Sequence, residues 1–121
     1  MKVANFRPLK VRQVGKKLAL DVYRVTRVFP NDELYGMTSQ TRRAAESIPS
    51  NIAEGVNRLH AREYRRFLYL ALGSCAELET QIEVAGELGY LALEQAEQLL
   101  EQLDHESTML RSLIKTVHGE T

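Results

Sequence analysis

The chain has 121 residues, is 44% hydrophobic and 26% charged, and carries no net charge. That is one domain's length with enough apolar content for a core, and its lone cysteine, Cys75, excludes both an intrachain disulfide framework and a zinc site built on thiolates. No apolar run approaches the roughly 18 residues of a membrane span, and the first residues lack a signal-peptide hydrophobic region, so a cytoplasmic protein is expected.

Residues 1–8 read as an irregular lead-in ending at Pro8. The first helix is expected over 9–29. Val11, Val14, Leu18, Val22, Val25 and Phe29 recur at steps of 3 and 4 and make its apolar face. Lys10, Arg12, Lys16, Lys17, Arg24 and Arg27 stand on the opposite arc against one acid, Asp21. Phosphate backbone would suit that face, and so would an acidic neighbouring helix. Phe29-Pro30-Asn31-Asp32 ends the helix, because Pro30 disfavours the α conformation at Phe29 and Asn-Asp favours a turn.

A second helix is expected over 38–57. It has a small-residue apolar stripe of Ala44, Ala45, Ile48, Ile52 and Val56. A second stripe, Gln40, Arg43, Ser47, Asn51, Glu54 and Arg58, is polar and rich in poor helix formers, and Pro49 lies inside the helix. Two readings stay open for it: a solvated face, or a hydrogen-bonded network buried or between subunits.

The third helix is expected over 60–86, with Tyr64, Phe67, Leu68, Ala71, Cys75, Leu78, Ile82 and Ala85 on its apolar face. Arg62, Arg65 and Arg66 open it, at the end where the helix dipole disfavours cations, so Glu63, an acidic partner or a bound anion must compensate. Tyr64, Phe67 and Tyr69 interleave with these arginines, a mixture able to stack on bases and hold phosphates. Ser74, Glu77 and Gln81 line up as partners for the polar stripe, with Arg43 expected to pair with Glu77 or Glu54. The fourth helix is expected over 92–117. Leu93, Ala96, Leu100, Leu103, Ser107, Leu110, Ile114 and Val117 form its seam, with Ser107 the one polar position. Its outer face is acidic.

Four helices with short connections predict an all-α, antiparallel, up-down-up-down four-helix bundle in one domain, 1–121. Charge divides along the chain: residues 1–70 hold 14 Lys and Arg against 6 Asp and Glu, a net +8, and residues 71–121 hold 2 against 10, a net −8. Such asymmetry fits a polyanion partner, head-to-tail self-association, or basic helices packed beside acidic ones. Chemistry is not expected. There is no phosphate-binding loop, dinucleotide fingerprint, H-E-x-x-H or calcium loop, and His60, His105 and His118 are scattered, none three after a Glu as di-iron bundles require. The chain is therefore expected to be no enzyme, with no metal, cofactor or small-molecule substrate.

Two long blocks carry a resemblance. One is Phe29-Pro30-x-x-Glu33-x-Tyr35-Gly36-Met37-Thr38-Ser39-Gln40-x-Arg42-Arg43-Ala44-Ala45-x-Ser47-Ile48-Pro49-Ser50-Asn51-Ile52-Ala53-Glu54-Gly55. The other is Glu63-Tyr64-x-x-Phe67-Leu68-x-x-Ala71-x-Gly73-Ser74-x-x-Glu77-Leu78-Glu79. Together they resemble the bacterial four-helix-bundle proteins first noticed as reading frames in intervening sequences of 23S ribosomal RNA genes, with Met37 where Leu is usual. The resemblance spans roughly residues 6–117. It implies a ring-like homopentamer with a central channel. A related branch, the accessory variability proteins of diversity-generating retroelements, binds a reverse transcriptase and its RNA through basic surfaces. The expectation is an oligomer that binds RNA or a nucleoprotein through Lys10, Lys16, Lys17, Arg24, Arg27, Arg58, Arg62, Arg65 and Arg66. Gln40, Arg43, Ser47, Asn51, Glu54, Ser74 and Glu77 form its seam or subunit interface. The rival expectation is an interaction oligomer whose cations are consumed by acidic helices.

Overall fold

The computed structural model describes residues 7–117, and among them there are four long helices and no strand. Helix α1 spans Arg7–Val25, α2 Ser39–Val56, α3 Ala61–Glu87 and α4 Leu93–Thr116. The helix takes in Arg7 and Pro8, the last two residues of the lead-in expected over 1–8, because proline fits the first turn, where its missing N–H is no loss; the rest of that lead-in and the residues from His118 lie outside the described residues. Helix α1 packs on α2 and α4, and α3 packs on the same two. The helices thus form a bundle around Leu18, Val22, Ile48, Ile52, Leu68, Leu78, Ile82, Leu110 and Leu113, each 0–1% exposed.

Local chemistry sets the helix ends. α1 leaves α geometry at Val25, four residues before the expected end, and tightens into a 3-10 turn over Thr26–Val28. Thr26 is buried, and its hydroxyl reaches back 2.8 Å to the Val22 carbonyl, a local bond that competes with the helical ladder. Pro30 follows and bars continuation. A second 3-10 turn, Asn31–Glu33, leads into a wide turn over Leu34–Thr38 that departs from helical geometry at Gly36. Glu33 clamps this turn, accepting the Met37 amide at 3.0 Å, and a Cβ at Gly36 would lie 2.9 Å from the Glu33 Oε1. At the far end of α3, the Gly89 amide bonds the Gly86 carbonyl and the Tyr90 amide bonds the Ala85 carbonyl. This paired closure needs a left-handed residue, which Gly89 supplies at φ 80°. α4 then opens with the Gln95 side chain accepting the Ala92 amide at 3.3 Å.

The two connections meet. The Tyr90 hydroxyl donates to Glu33 Oε2 at 2.9 Å, and the Phe29 and Tyr90 rings lie 5.5 Å apart at 53°. Away from that junction, Tyr23 bonds Glu46, Gly15 meets Ile48 and Pro49, and Gly55 meets Phe67 and Tyr64. Gly86 meets Ala96, and Arg65 bonds the Val117 carbonyl.

The core face of α4 corrects the sequence reading by one position in several turns. The buried set is Ala96, Leu99, Leu103, Glu106, Leu110, Leu113 and Ile114. Leu93 is 73% exposed, and Ser107 is only half-buried. A carboxyl, Glu106, occupies the seam. The room for it comes from the absent side chain of Gly15 on α1.

Candidate nucleic-acid interface

The nine cations expected to meet nucleic acid fall into two groups. On α1, Lys10, Lys16, Lys17 and Arg24 are exposed, as is Arg27 on the 3-10 turn that follows. Two of them are already engaged. Asp21 accepts Lys17 at 2.8 Å and Arg24 at 2.9 Å. Partial burial raises the pKa of Asp21, but Lys17, Gln102 and Arg24 together outweigh it and hold the carboxyl below its usual value. Lys10, Lys16 and Arg27 have no carboxylate partner among the described residues.

The second group surrounds the connection from α2 to α3. Arg58 reaches back one turn to Glu54 at 2.6 Å, and its guanidinium lies 4.7 Å from the Phe67 ring centre. The Arg66 guanidinium lies 4.8 Å from the same ring and 3.6 Å from Glu63. Arg65 donates to the Val117 carbonyl at 2.9 Å. The C-terminal carbonyls of α4 are the negative end of a helix dipole, so this bond and Glu63 answer the cations at the positive start of α3. Arg62 is exposed, with no carboxylate partner among the described residues.

The aromatics do not form the expected base-stacking platform. Phe67 is buried at 9% exposure beneath Arg58 and Arg66. Tyr64 is half-buried, and its hydroxyl is enclosed without a partner among the described residues. Of the three, Tyr69 alone is exposed. The helical spacing that interleaves them with arginines also turns two of them into the bundle.

Sequence reasoning missed two cations here, Arg111 and Lys115. Both are exposed on the last turns of α4. The Arg65–Val117 bond brings that helix end to the start of α3. The signal was their isolation: they are the only two cations after residue 70. Arg42 was also overlooked. It donates through Nε to the Thr26 hydroxyl at 2.8 Å and lies 4.7 Å from the Tyr23 ring centre, tying α2 to the end of α1.

The polar stripe of α2 divides in the structure. Ser47 faces α3, where its hydroxyl oxygen lies 2.5 Å from that of Ser74. Each hydroxyl also reaches a carbonyl of its own helix, Ala44 at 2.8 Å and Leu70 at 3.2 Å. Three contacts share two protons, so one is unmade at any instant. The Asn51 side chain donates to the Ser47 carbonyl at 2.8 Å. Gln40, Arg43, Glu54 and Glu77 are exposed. The expected pairing of Arg43 with Glu77 or Glu54 is not formed: Glu54 binds Arg58 one turn away, and Arg43 has no carboxylate partner among the described residues. The i,i+4 spacing offers Glu54 a local partner at little entropic cost.

Burial pushes the Cys75 thiol up to about 11, away from the reactive thiolate. Among the described residues no three His, Cys, Asp or Glu side chains gather as metal ligands. No helix among them is long and apolar enough to cross a membrane.

The model of the 23S rRNA-intervening sequence protein family matches residues 7–112. The chain belongs to that family. A crystal structure of a Bacteroides thetaiotaomicron protein of unknown function, from the S23 ribosomal protein family, has the same fold. It superposes with a TM-score of 0.84 at 23% identity, over 91% of this chain and 99% of that one. No curated protein matches. The motif blocks quoted above fall inside the matched span.

Proposed function

We propose that the protein is a non-enzymatic, cytoplasmic, oligomeric bundle that binds nucleic-acid backbone through one end. The helices run up-down-up-down. The contact pairs support this order: Tyr23 with Glu46 then Gly15 with Pro49, Ser47 with Ser74 then Gly55 with Phe67, and Gly86 with Ala96 then Arg65 with Val117. With that order, the sequence asymmetry becomes an end-to-end polarity. Arg58, Arg62, Arg65 and Arg66 from the α2–α3 connection, Arg111 and Lys115 from α4 and Lys10 and Arg12 from α1 gather at one end. Most acids of α3 and α4, Glu63 excepted, lie toward the other, together with Arg24, Arg27, Arg42 and Arg43.

The observation that carries the reading is the Arg65–Val117 bond, because it joins the basic start of α3 to the two cations of α4. Among the described residues only Glu54 and Glu63 form ion pairs with that cluster. With two of the three nearby aromatics turned inward, the contact is to phosphates, with little reading of bases.

Titration with single-stranded RNA at low and moderate salt tests this. The expected result is binding that weakens steeply with salt, and a log–log slope about one unit shallower for each phosphate contact removed. R62E and K115E make suitable variants, since neither residue has a carboxylate partner among those described. Absence of binding by the unaltered protein at low salt overturns the reading.

A second reading has its own observation. Val28, Leu34, Tyr35, Leu88 and Leu93 are 71%, 49%, 92%, 56% and 73% exposed, and all flank the junction where the two connections meet. Side chains of this kind are covered in an assembly more often than they are left wet. A ring of copies, five by family resemblance, would close through such unlike surfaces. In this reading the cations serve neighbouring acidic helices and no nucleic acid binds.

A further inference from the structure

Glu106 is a charged residue type in the middle of the bundle. None of its surface is exposed, and neither carboxyl oxygen has a hydrogen-bond partner among the described residues. The carboxyl stands where a side chain at position 15 would go. A Cβ on Gly15 would lie 2.8 Å from Glu106 Oε2, 3.3 Å from Ile48 Cγ2 and 3.5 Å from Pro49 Cδ. Three helices, α1, α2 and α4, therefore close around it.

No charge in that wall answers it. α1 presents the Gly15 backbone, and the adjacent Lys16 is exposed in the outer groove between α1 and α2. α2 presents Ile48 and Pro49. α3 brings the Cys75 thiol within electrostatic reach, and Glu79 beyond it. α4 itself adds the Ser107 hydroxyl, beside the thiol, and Arg111, which is exposed. No cation forms an ion pair with Glu106 among the described residues. A carboxylate here would give up hydration and gain nothing, whereas a neutral acid loses far less. Pro49 adds a complementary feature. It has no N–H, so the carbonyl of buried Ala45 lacks its helical donor. That leaves a backbone acceptor on the buried stripe of α2, one turn before the residue that meets Gly15.

We propose that Glu106 is a buried carboxylic acid that keeps its proton at neutral pH and acts as an alkaline switch, whose ionisation loosens α4 from α1 and α2. Burial pushes its pKa from an ordinary 4.5 to about 8. The folded state thus holds a proton that the unfolded chain has released. Stability is full below the ordinary value, falls as pH rises through the window between the two, and levels off above the folded value. Cys75, displaced to about 11, stays a neutral thiol through that window and does not titrate with it.

The test uses the full chain with carbon-13-labelled glutamate. Carboxyl resonances are followed from pH 4 to 10, with E106Q assigning the Glu106 signal, and denaturant midpoints are taken across the same range for both proteins. The expected result is one glutamate titrating near 8, and a fall in stability with rising pH in the wild type that E106Q lacks. Titration of every glutamate in the ordinary range overturns the proposal. So does an identical pH dependence of stability in E106Q. If E106Q does not fold, the resonance missing from E106A, or the wild-type titration itself, decides: one glutamate still protonated at neutral pH supports the proposal, and none overturns it.

Discussion

Glu33 shows how one side chain can organise two connections. One carboxyl oxygen takes the Met37 amide and the other takes the Tyr90 hydroxyl. The Met37 amide, then the Tyr90 hydroxyl, hold its pKa below the ordinary carboxylate value. A depressed folded-state pKa means this contribution is present above the unfolded value and lost as pH falls through the folded one. E33Q should therefore lower the unfolding midpoint at neutral pH and flatten the acid side of the stability profile, as pH-dependent chemical denaturation would read. Gly15 makes the opposite case, a residue important for what it lacks. G15A places a methyl 2.8 Å from the Glu106 carboxyl and should cost about 1–3 kcal/mol by overpacking. Urea denaturation checks it, and E106A in the same chain should recover part of the loss. Neither role was legible in the residues. The sequence placed Glu33 in a connector and in a family motif without a partner, because Tyr90 is 57 residues away. Nothing in the stretch around Gly15 points to Glu106, which lies on another helix.

At the scale of elements, periodicity carried far where faces are plainly apolar and misled where they are not. The stripes of α2 and α3 hold their buried residues, Ala44, Ala45, Ile48 and Ile52 on one and Phe67 to Ala85 on the other. On α4 the expected register was displaced by one position in part of the helix. The spacing placed Leu100 and Ser107 inward, whereas Leu99 and Glu106 are buried, and hydropathy alone favours the hydroxyl over the carboxyl. The cavity opposite decides, and it belongs to another helix. The serine pair between α2 and α3 was only half legible: the spacing aligned Ser74 with the polar stripe that holds Ser47, but the one pairing singled out was Arg43 with Glu77 or Glu54. Removing either hydroxyl, S47A or S74A, should cost about 1 kcal/mol, and the double variant less than the sum, since both share the 2.5 Å contact. A double-mutant cycle in urea measures the coupling. G55A is expected to push α2 from α3, because its Cβ would meet the Phe67 Cβ at 2.9 Å and the Tyr64 carbonyl at 3.3 Å. Backbone cannot yield as a flexible side chain can, so a lower melting temperature should follow.

At the scale of the whole molecule, the proposed up-down order would carry the division of charge along the chain into space only in part, since it gathers Arg58, Arg62, Arg65, Arg66, Arg111 and Lys115 at one end and leaves Arg24, Arg27, Arg42 and Arg43 at the other. The sequence held the numbers, +8 and −8, but not the geometry, because Arg111 and Lys115 sit in the acidic half and fold toward the basic end. Sedimentation velocity on the intact chain should find a closed oligomer of about five copies if unlike surfaces meet around a ring, and a monomer if they do not. A charge-reversed R62E/K115E protein should retain its melting temperature, since neither side chain is paired among the described residues, while losing polyanion affinity.

The bond from Arg65 to the Val117 carbonyl has a practical consequence for anyone handling the protein. The last turn of α4 emerges among the basic side chains, and the groove shared by Lys10, Val11, Met109 and Ser112 sets the first turns of α1 beside it. A bulky label attached beside Thr116 would lie over the cations being assayed and, if acidic, would mimic their ligand. A label at the Gly89 bend, past the far end of α3 from Arg65, would leave them open.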